Sequence, residues 1–374
     1  MEIPKPRILI LTSPGMGHLI PLLELAKRLV SLETLHVTLL IVSTSSSAPQ
    51  SQLVKLSSQF HQDLQIVDLT PAEISDIVST NLSVTLRLHL SMIATLPTLK
   101  SHIASMELPL AALIVDIFGL HAFKMADEFK IPKHEHLKMC ERMSTADGIL
   151  LNTWDDLEPQ TINALRDNDI LRQITDSSIY PVGPVIRSIG ANQIGNECLD
   201  WLRGQPNESV LYVSSQNESD DSLSYLPQGF SARIKGRGLL VDCWAPQDYI
   251  LANPSIGGFL SHCGWNSSLE SITNGVPMIA WPLYAEQRLN AAALVEDFGI
   301  AVRSDLLPST EVIGREEIAQ MVRYLMESNE GKMMRDKARK MKKGALKAIG
   351  EGGSSYKSLL EVAEKWIKTS QGGC

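Results

Sequence analysis

Residues 7–42 read RILILTSPGMGHLIPLLELAKRLVSLETLHVTLLIV. Arg7 to Leu11 predicts a strand, its apolar run from Ile8 onward being the pattern of a segment buried on both faces of a parallel sheet. The run stops at Ser13-Pro14-Gly15-Met16-Gly17. Leu19, Leu22, Leu23, Leu25, Ala26 and Leu29 then recur at helical spacing, with Glu24, Lys27 and Arg28 largely on the opposite side. His36 to Val42 is a second apolar run. Strand, helix and strand at this spacing make a right-handed parallel crossover.

Outward from this unit the pattern recurs. Strands are expected at Leu64 to Leu69, Ala111 to Phe118 and Gly148 to Thr153, with a helix from Val84 to Met106. Pro181-Val182-Gly183-Pro184 and the polar stretch to Gly195 read as a linker. A second α/β unit follows, with strands at Ser209 to Ser214, Gly238 to Asp242, Gly258 to Ser261 and Pro277 to Trp281. Helices are expected at Arg315 to Glu327, Lys332 to Ile349 and Ser354 to Thr369. The prediction is an α/β protein of two Rossmann-like domains, residues 1–184 and 197–353. A linker spans 185–196, and a C-terminal helix spans 354–374.

Composition limits the partners. The 374 residues carry a formal charge of -8, with 44% hydrophobic and 20% charged residues, ample for packed domains. An acidic chain does not suit a nucleic-acid backbone, whose binding relies on clustered Lys and Arg. The run Ile8 to Leu11 is too short for a secretory core. No run approaches the roughly 18 apolar residues of a membrane span. Cys140, Cys198, Cys243, Cys263 and Cys374 are scattered and odd in number, which fits free thiols in a reducing compartment. A soluble, cytoplasmic monomer is expected.

The chemistry concentrates between Trp244 and Gln287. Gly258 to Ser261 predicts a strand and Asn266 to Thr273 a helix, joined by a tight His-Cys-Gly-Trp turn. Asn266 and Ser267 then stand where helix N–H groups lack intrahelical partners, at the positive end of the helix. Such an end suits a diphosphate. His262 adds a hydrogen-bonding group, Glu270 a carboxylate for two ribose hydroxyls, and Trp244 a flat face for a base. Taken singly, Asn266-Ser267 is the pattern of an ordinary helix cap and Trp244 that of a packing residue; their combination in one block points to a nucleotide.

Trp244-Ala245-Pro246-Gln247, His262 through Ser267, Glu270, Gly275-Val276-Pro277 and Glu286-Gln287 together resemble the signature box of plant secondary-product glycosyltransferases, without a break. The resemblance implies a GT-B fold, two Rossmann-like domains facing a cleft, with the last helix crossing back onto the first domain. It implies UDP-glucose as donor substrate, with no cofactor and no metal. Trp244 would stack on uracil, His262, Asn266 and Ser267 hold the diphosphate, and Glu270 hold the ribose. Trp265, Glu286 and Gln287 would contact the sugar, and Ala245, Gln247 and Gly264 complete the donor site. Trp265 is associated in that family with glucose, and Glu286 stands where many members have Asp.

The N-terminal half offers the partner chemistry. His18 follows the first strand, at the switch from strand to helix where α/β sheets bind ligands. An imidazole suits proton removal from a hydroxyl near neutral pH. Asp116, closing its own strand, would emerge at the same edge and fix the tautomer of His18. Alone, His18 is as readily structural as catalytic; in the resembled family the matching His and Asp form the catalytic pair. The implied reaction is inverting transfer of glucose to a hydroxyl of a small phenol.

The resemblance extends over nearly the whole chain, including Asp116-Ile117-Phe118-Gly119 and Tyr180 through Pro184, and is strongest to the branch that glucosylates hydroquinone and phenylpropanoid phenols. Two segments are short. Only 15 residues separate Pro132 from Gly148, where the family has helices and much of the acceptor pocket. After Ser214, the 11 residues Ser215 to Tyr225 replace a Phe-Gly-Ser run, a helix and a strand of the donor sheet, a loss expected to leave an open sheet edge. The alternative reading is a non-catalytic shortened chain that at most binds UDP-sugar. Asp167-Asn168-Asp169 reads as a solvated loop rather than a metal triplet, and His134, His136 and Cys140 lack zinc spacing. Gly15-x-Gly17 lacks the rest of a dinucleotide fingerprint.

Overall fold

The computed structural model describes residues 5–42, 60–69, 84–106, 110–123, 133–136, 146–167, 178–187, 197–214, 226–241, 245–307 and 312–371. The chain divides into two compact units, residues 1–187 with 347–374, and residues 188–346.

The first unit is built on a parallel sheet of seven strands. These are β1 (Arg7–Thr12), β2 (His36–Ile41), β3 (Leu64–Asp68), β4 (Leu110–Val115), β5 (Lys133–His136), β6 (Gly148–Leu151) and β7 (Ser178–Pro181). Their order is β3-β2-β1-β4-β5-β6-β7. Alternation along β1 splits its side chains between two cores. Ile8 and Ile10 pack with helix α1 (Met16–Val30) and with Leu359, Val362 and Trp366 of the C-terminal helix Ser354–Gln371. Leu9 and Leu11 pack on the other face with Met92, Leu99 and Ile103 of α2 (Val84–Ala104).

Three expectations for this unit need correction, and one strand was not expected. The strand read from Ala111 to Phe118 ends at Val115, because the Asp116 carboxylate accepts bonds from Phe118 N and Gly119 N and caps a 3-10 helix, Ile117–Ala122. Glu24 is not on a solvent face but is 3% exposed. It accepts a 2.8 Å bond from Lys27 Nζ, and Arg28 reaches Val182 O at 3.1 Å. The supposed linker at Pro181 to Pro184 is held as tightly as a strand. Val182 N and Gly183 N donate to Leu151 O and Thr153 O, the Asn152 amide bonds both backbone groups of Val185, and Ser355 Oγ donates to Gly183 O. Finally, Lys133–His136 is a strand that its polar sequence does not announce. Its backbone pairs Leu113↔Lys133 on one side and Glu135↔Ile149 on the other, so ladder hydrogen bonding between β4 and β6 overrides the local pattern.

At the opposite, N-terminal edge of this sheet, Asp63 is 6% exposed and tied to Lys5 Nζ at 2.6 Å and His36 Nδ1 at 2.9 Å. The Lys5 hydrogen bond, outweighing burial, holds this carboxyl below its ordinary range. Its contribution to stability is present above the unfolded value near ~3.9 and disappears as pH falls through the lower folded value. Asp63→Asn is therefore expected to melt a few degrees lower than wild type at neutral pH, with the gap narrowing on acidification. Calorimetry between neutral and acid pH checks this; a gap that does not change with pH would assign the loss to packing instead of charge.

The second unit has a four-stranded parallel sheet in the order β11-β10-β9-β8, formed by β8 (Val210–Val213), β9 (Ile256–Ser261), β10 (Met278–Ala280) and β11 (Ala301–Val302). The expected strand at Gly238 to Asp242 does not form among its described residues, 238–241. Among the described residues β8 is the edge strand, with Val213 56% exposed. Helix Arg315–Glu327 has the expected bounds. Among the described residues no helix is long and apolar enough to cross a membrane.

Candidate active site

In the first unit the turn after β1 is set by Gly15, whose φ of 108° is open to glycine and strained for other residues. It starts α1 so that His18 lies on the first turn, at the C-terminal edge of β1. β4 delivers Asp116 to the same edge. His18 Nδ1 lies 3.1 Å from Asp116 Oδ2, with the two side chains 26% and 2% exposed. Phe118 packs its ring edge-on to His18, centroids 5.4 Å apart. The carboxylate also accepts from Ser13 N at 3.0 Å, Ser13 Oγ at 2.5 Å, Phe118 N at 3.1 Å and Gly119 N at 3.2 Å. Burial, the largest single influence, opposes ionisation of Asp116. The bonds and charge of His18, with the two bonds from Ser13, outweigh it, so the carboxyl sits below its ordinary value.

In the second unit β9 runs into the turn His262-Cys263-Gly264 and then helix α3 (Trp265–Asn274). Cys263 adopts a left-handed φ of 63°. Asn290 Nδ2 fixes that kink by donating to Cys263 O at 2.9 Å, and Asn290 is only 2% exposed. A Cβ on Gly264 would stand 2.5 Å from His262 Nε2, so only glycine lets the imidazole lie this close over the turn. Gly264 is the N-cap and offers no side chain, which leaves the first amides of α3 pointing out of the helix end. His262 Nδ1 is buried without a hydrogen-bond partner among the described residues. Burial pulls the His262 pKa below its ordinary value, against the pull of the Glu286 charge. At neutral pH the ring is an uncharged donor and acceptor.

Beside this helix end, Gln247 Nε2 donates to Glu270 Oε2 at 2.5 Å and to Ser267 Oγ at 3.2 Å. The Tyr212 hydroxyl reaches Gln247 Oε1 at 3.4 Å, and burial pushes its pKa up to about 12. An amide therefore orients a carboxylate that is 8% exposed. Gln287, 3% exposed, uses its carbonyl to accept from Leu283 N and Tyr284 N. Glu286 is exposed, and Trp265 is 8% exposed.

Residues 230–332 match the family model described as UDP-glucoronosyl and UDP-glucosyl transferase. The chain is 35% identical to anthocyanidin 3-O-glucosyltransferase 5 of Manihot esculenta, over 98% of this chain and 96% of the relative. The chain belongs to the UDP-glycosyltransferases. It is also 34% identical to the hydroquinone glucosyltransferase of Rauvolfia serpentina, over 96% of this chain and 98% of the relative. The crystal structure of TcCGT1 in complex with UDP superposes with a TM-score of 0.93 at 43% identity, covering 98% of this chain and 100% of that one. The fold is thus GT-B, and the chain is a UDP-sugar-dependent transferase of the plant type. The alignment with the Manihot protein spans 469 positions against 374 residues here, so the relative carries segments without a counterpart in this UDP-glycosyltransferase.

Two separate clusters thus gather the expected residues: His18 with Asp116, and Gln247, His262, Gly264, Trp265, Asn266, Ser267, Glu270, Glu286 and Gln287 on consecutive elements around α3, with Ala245 leading in. Trp244 lies outside the described residues, as do Cys140, Asn168 and Asp169. Sequence reasoning missed Ser13 and Asn290. Both are ordinary polar residues whose partners are remote, and only Ser13 carried a signal, its place in the turn next to His18.

Proposed function

We propose that this enzyme transfers glucose from UDP-glucose to a hydroxyl of a small phenolic acceptor with inversion at the anomeric carbon. The observation that carries the reading is the His18–Asp116 pair: an imidazole bonded through Nδ1 to a buried carboxylate that stays ionised. With Nδ1 so engaged, Nε2 is the nitrogen that takes the acceptor's proton. The deprotonating oxygen attacks the anomeric carbon as the bond to UDP breaks. Asp116 stabilises the imidazolium that results. The amides opening α3 and the neutral His262 ring meet the charge that develops on UDP. Glu270 holds the ribose hydroxyls, Trp265 and Gln287 hold the sugar, and Trp244 stacks on the base. No metal takes part in this scheme. Phenolic acceptors are favoured because both relatives named above are, by name, glucosyltransferases of phenolic compounds.

The test is UDP release from UDP-glucose with hydroquinone and hydroxycinnamyl alcohols as acceptors, in the presence of EDTA, with the product's anomeric proton read by NMR. Acceptor-dependent release and a β-linked glucoside are expected. An α-linked product would overturn inversion. A folded protein that binds UDP and releases none in the presence of acceptor would leave it a binder.

A further inference from the structure

Ser13 lies one residue beyond β1, is 1% exposed, and grips the Asp116 carboxylate with two groups. Its N–H donates to Oδ2 at 3.0 Å and its hydroxyl to Oδ1 at 2.5 Å. His18 Nδ1 meets Oδ2 at 3.1 Å. The amides of Phe118 and Gly119 both bond Oδ1, so alone they pin one oxygen and leave the carboxylate plane to turn about it. Ser13 holds both oxygens at once and fixes the plane with Oδ2 toward the imidazole. It does so from the turn that leads into α1, the helix carrying His18 five residues later, and ties the two halves of the pair together at the ends of the neighbouring strands β1 and β4.

We propose that Ser13 is a positioning residue of the transfer reaction, a third member that orients Asp116 toward His18 and sets how strongly the imidazole is held. The inference rests on the reading of His18 as the base. Its physical content is specific. A hydroxyl donating to a buried carboxylate draws charge from it and makes it a weaker acceptor for the imidazole. Without that donor the carboxylate is more basic, holds the imidazolium more firmly, and lets its plane rotate. Because the pair titrates as a unit, the pH at which the base becomes available rises. Among the described residues the groups facing the carboxylate are Ser13 from the loop after β1, His18 from α1, and the Phe118 and Gly119 amides of the 3-10 helix; none carries a second negative charge.

Ser13→Ala is expected to lower kcat about tenfold, the scale of one hydrogen bond to a charged group, with KM for UDP-glucose within about twofold of wild type. The acid limb of kcat/KM should move upward by about half a pH unit, and the His18 titration followed by NMR should move with it. Ser13→Thr keeps the hydroxyl and should restore both. A Ser13→Ala enzyme whose acid limb and His18 titration match wild type overturns the proposal, as does a threonine variant no better than alanine. Failure of the underlying reading looks different: turnover would survive His18→Ala, whatever Ser13 does.

Discussion

His18→Ala is expected to lower kcat by about 10²–10⁴-fold while leaving the apparent affinity for UDP-glucose within about twofold. The size follows from what is removed. A phenolic hydroxyl is mostly protonated at neutral pH, and the proton must leave as the new bond forms; without an imidazole, water alone takes it. Asp116 cannot substitute, because the carboxylate is 2% exposed and already accepts from Ser13, Phe118 and Gly119. The donor affinity should hold because the residues proposed to grip UDP belong to the unit spanning residues 188–346 and His18 to the other. UDP release at saturating acceptor, with KM for donor measured alongside, checks both parts. A loss below tenfold would remove His18 from the chemistry, and an equal loss in donor affinity would mean that its role is binding.

How much of this was legible beforehand depends on the range of the interactions involved. The continuous apolar runs at Ile8 to Leu11 and His36 to Val42, and the helical spacing of Leu19 to Leu29, are local patterns; they gave β1 and β2 within a residue at each end, and α1 with its start three residues later than Met16. The turn from His262 to Ser267 was legible for the same reason, since strand, turn and helix are consecutive in the chain. What escaped depends on distant residues. Ser13 and Asp116 are 103 positions apart, so nothing near Ser13 marks its partner. Glu24 looked solvent-facing because helical spacing does not show what lies against a helix from elsewhere in the chain, here the 182–184 segment bonded by Arg28. The polar strand Lys133–His136 is paired on both sides, by β4 and β6, while among the described residues 238–241 form no strand although their local pattern is apolar. Gln287 was read as a sugar contact, yet its carbonyl is spent on the Leu283 and Tyr284 amides, leaving only its NH₂ end for a ligand.

Glu270→Ala should weaken UDP binding by about 10–100-fold, the equivalent of the 1.5–3 kcal/mol typical of hydrogen bonds to a charged group, with kcat at saturating donor changed only severalfold. Glu270 is 8% exposed, and Gln247 Nε2 holds its Oε2 at 2.5 Å, so the carboxylate enters the complex already oriented and little entropy is lost in using it. Truncation removes the acceptor for the ribose hydroxyls and also frees Gln247 to turn toward Ser267 Oγ, now 3.2 Å away. These two effects are separable with a ligand change. Calorimetry of wild type should show 2′-deoxy-UDP binding distinctly more weakly than UDP, because one hydroxyl partner is missing. The alanine variant should bind the two nucleotides alike, since the group that told them apart is gone. A variant that is weak but still prefers UDP would place ribose recognition on another residue and leave Glu270 with the task of holding Gln247. Glu270→Gln separates charge from shape: it keeps the length of the side chain but presents an NH₂ in place of one carboxylate oxygen, and should recover only part of the discrimination.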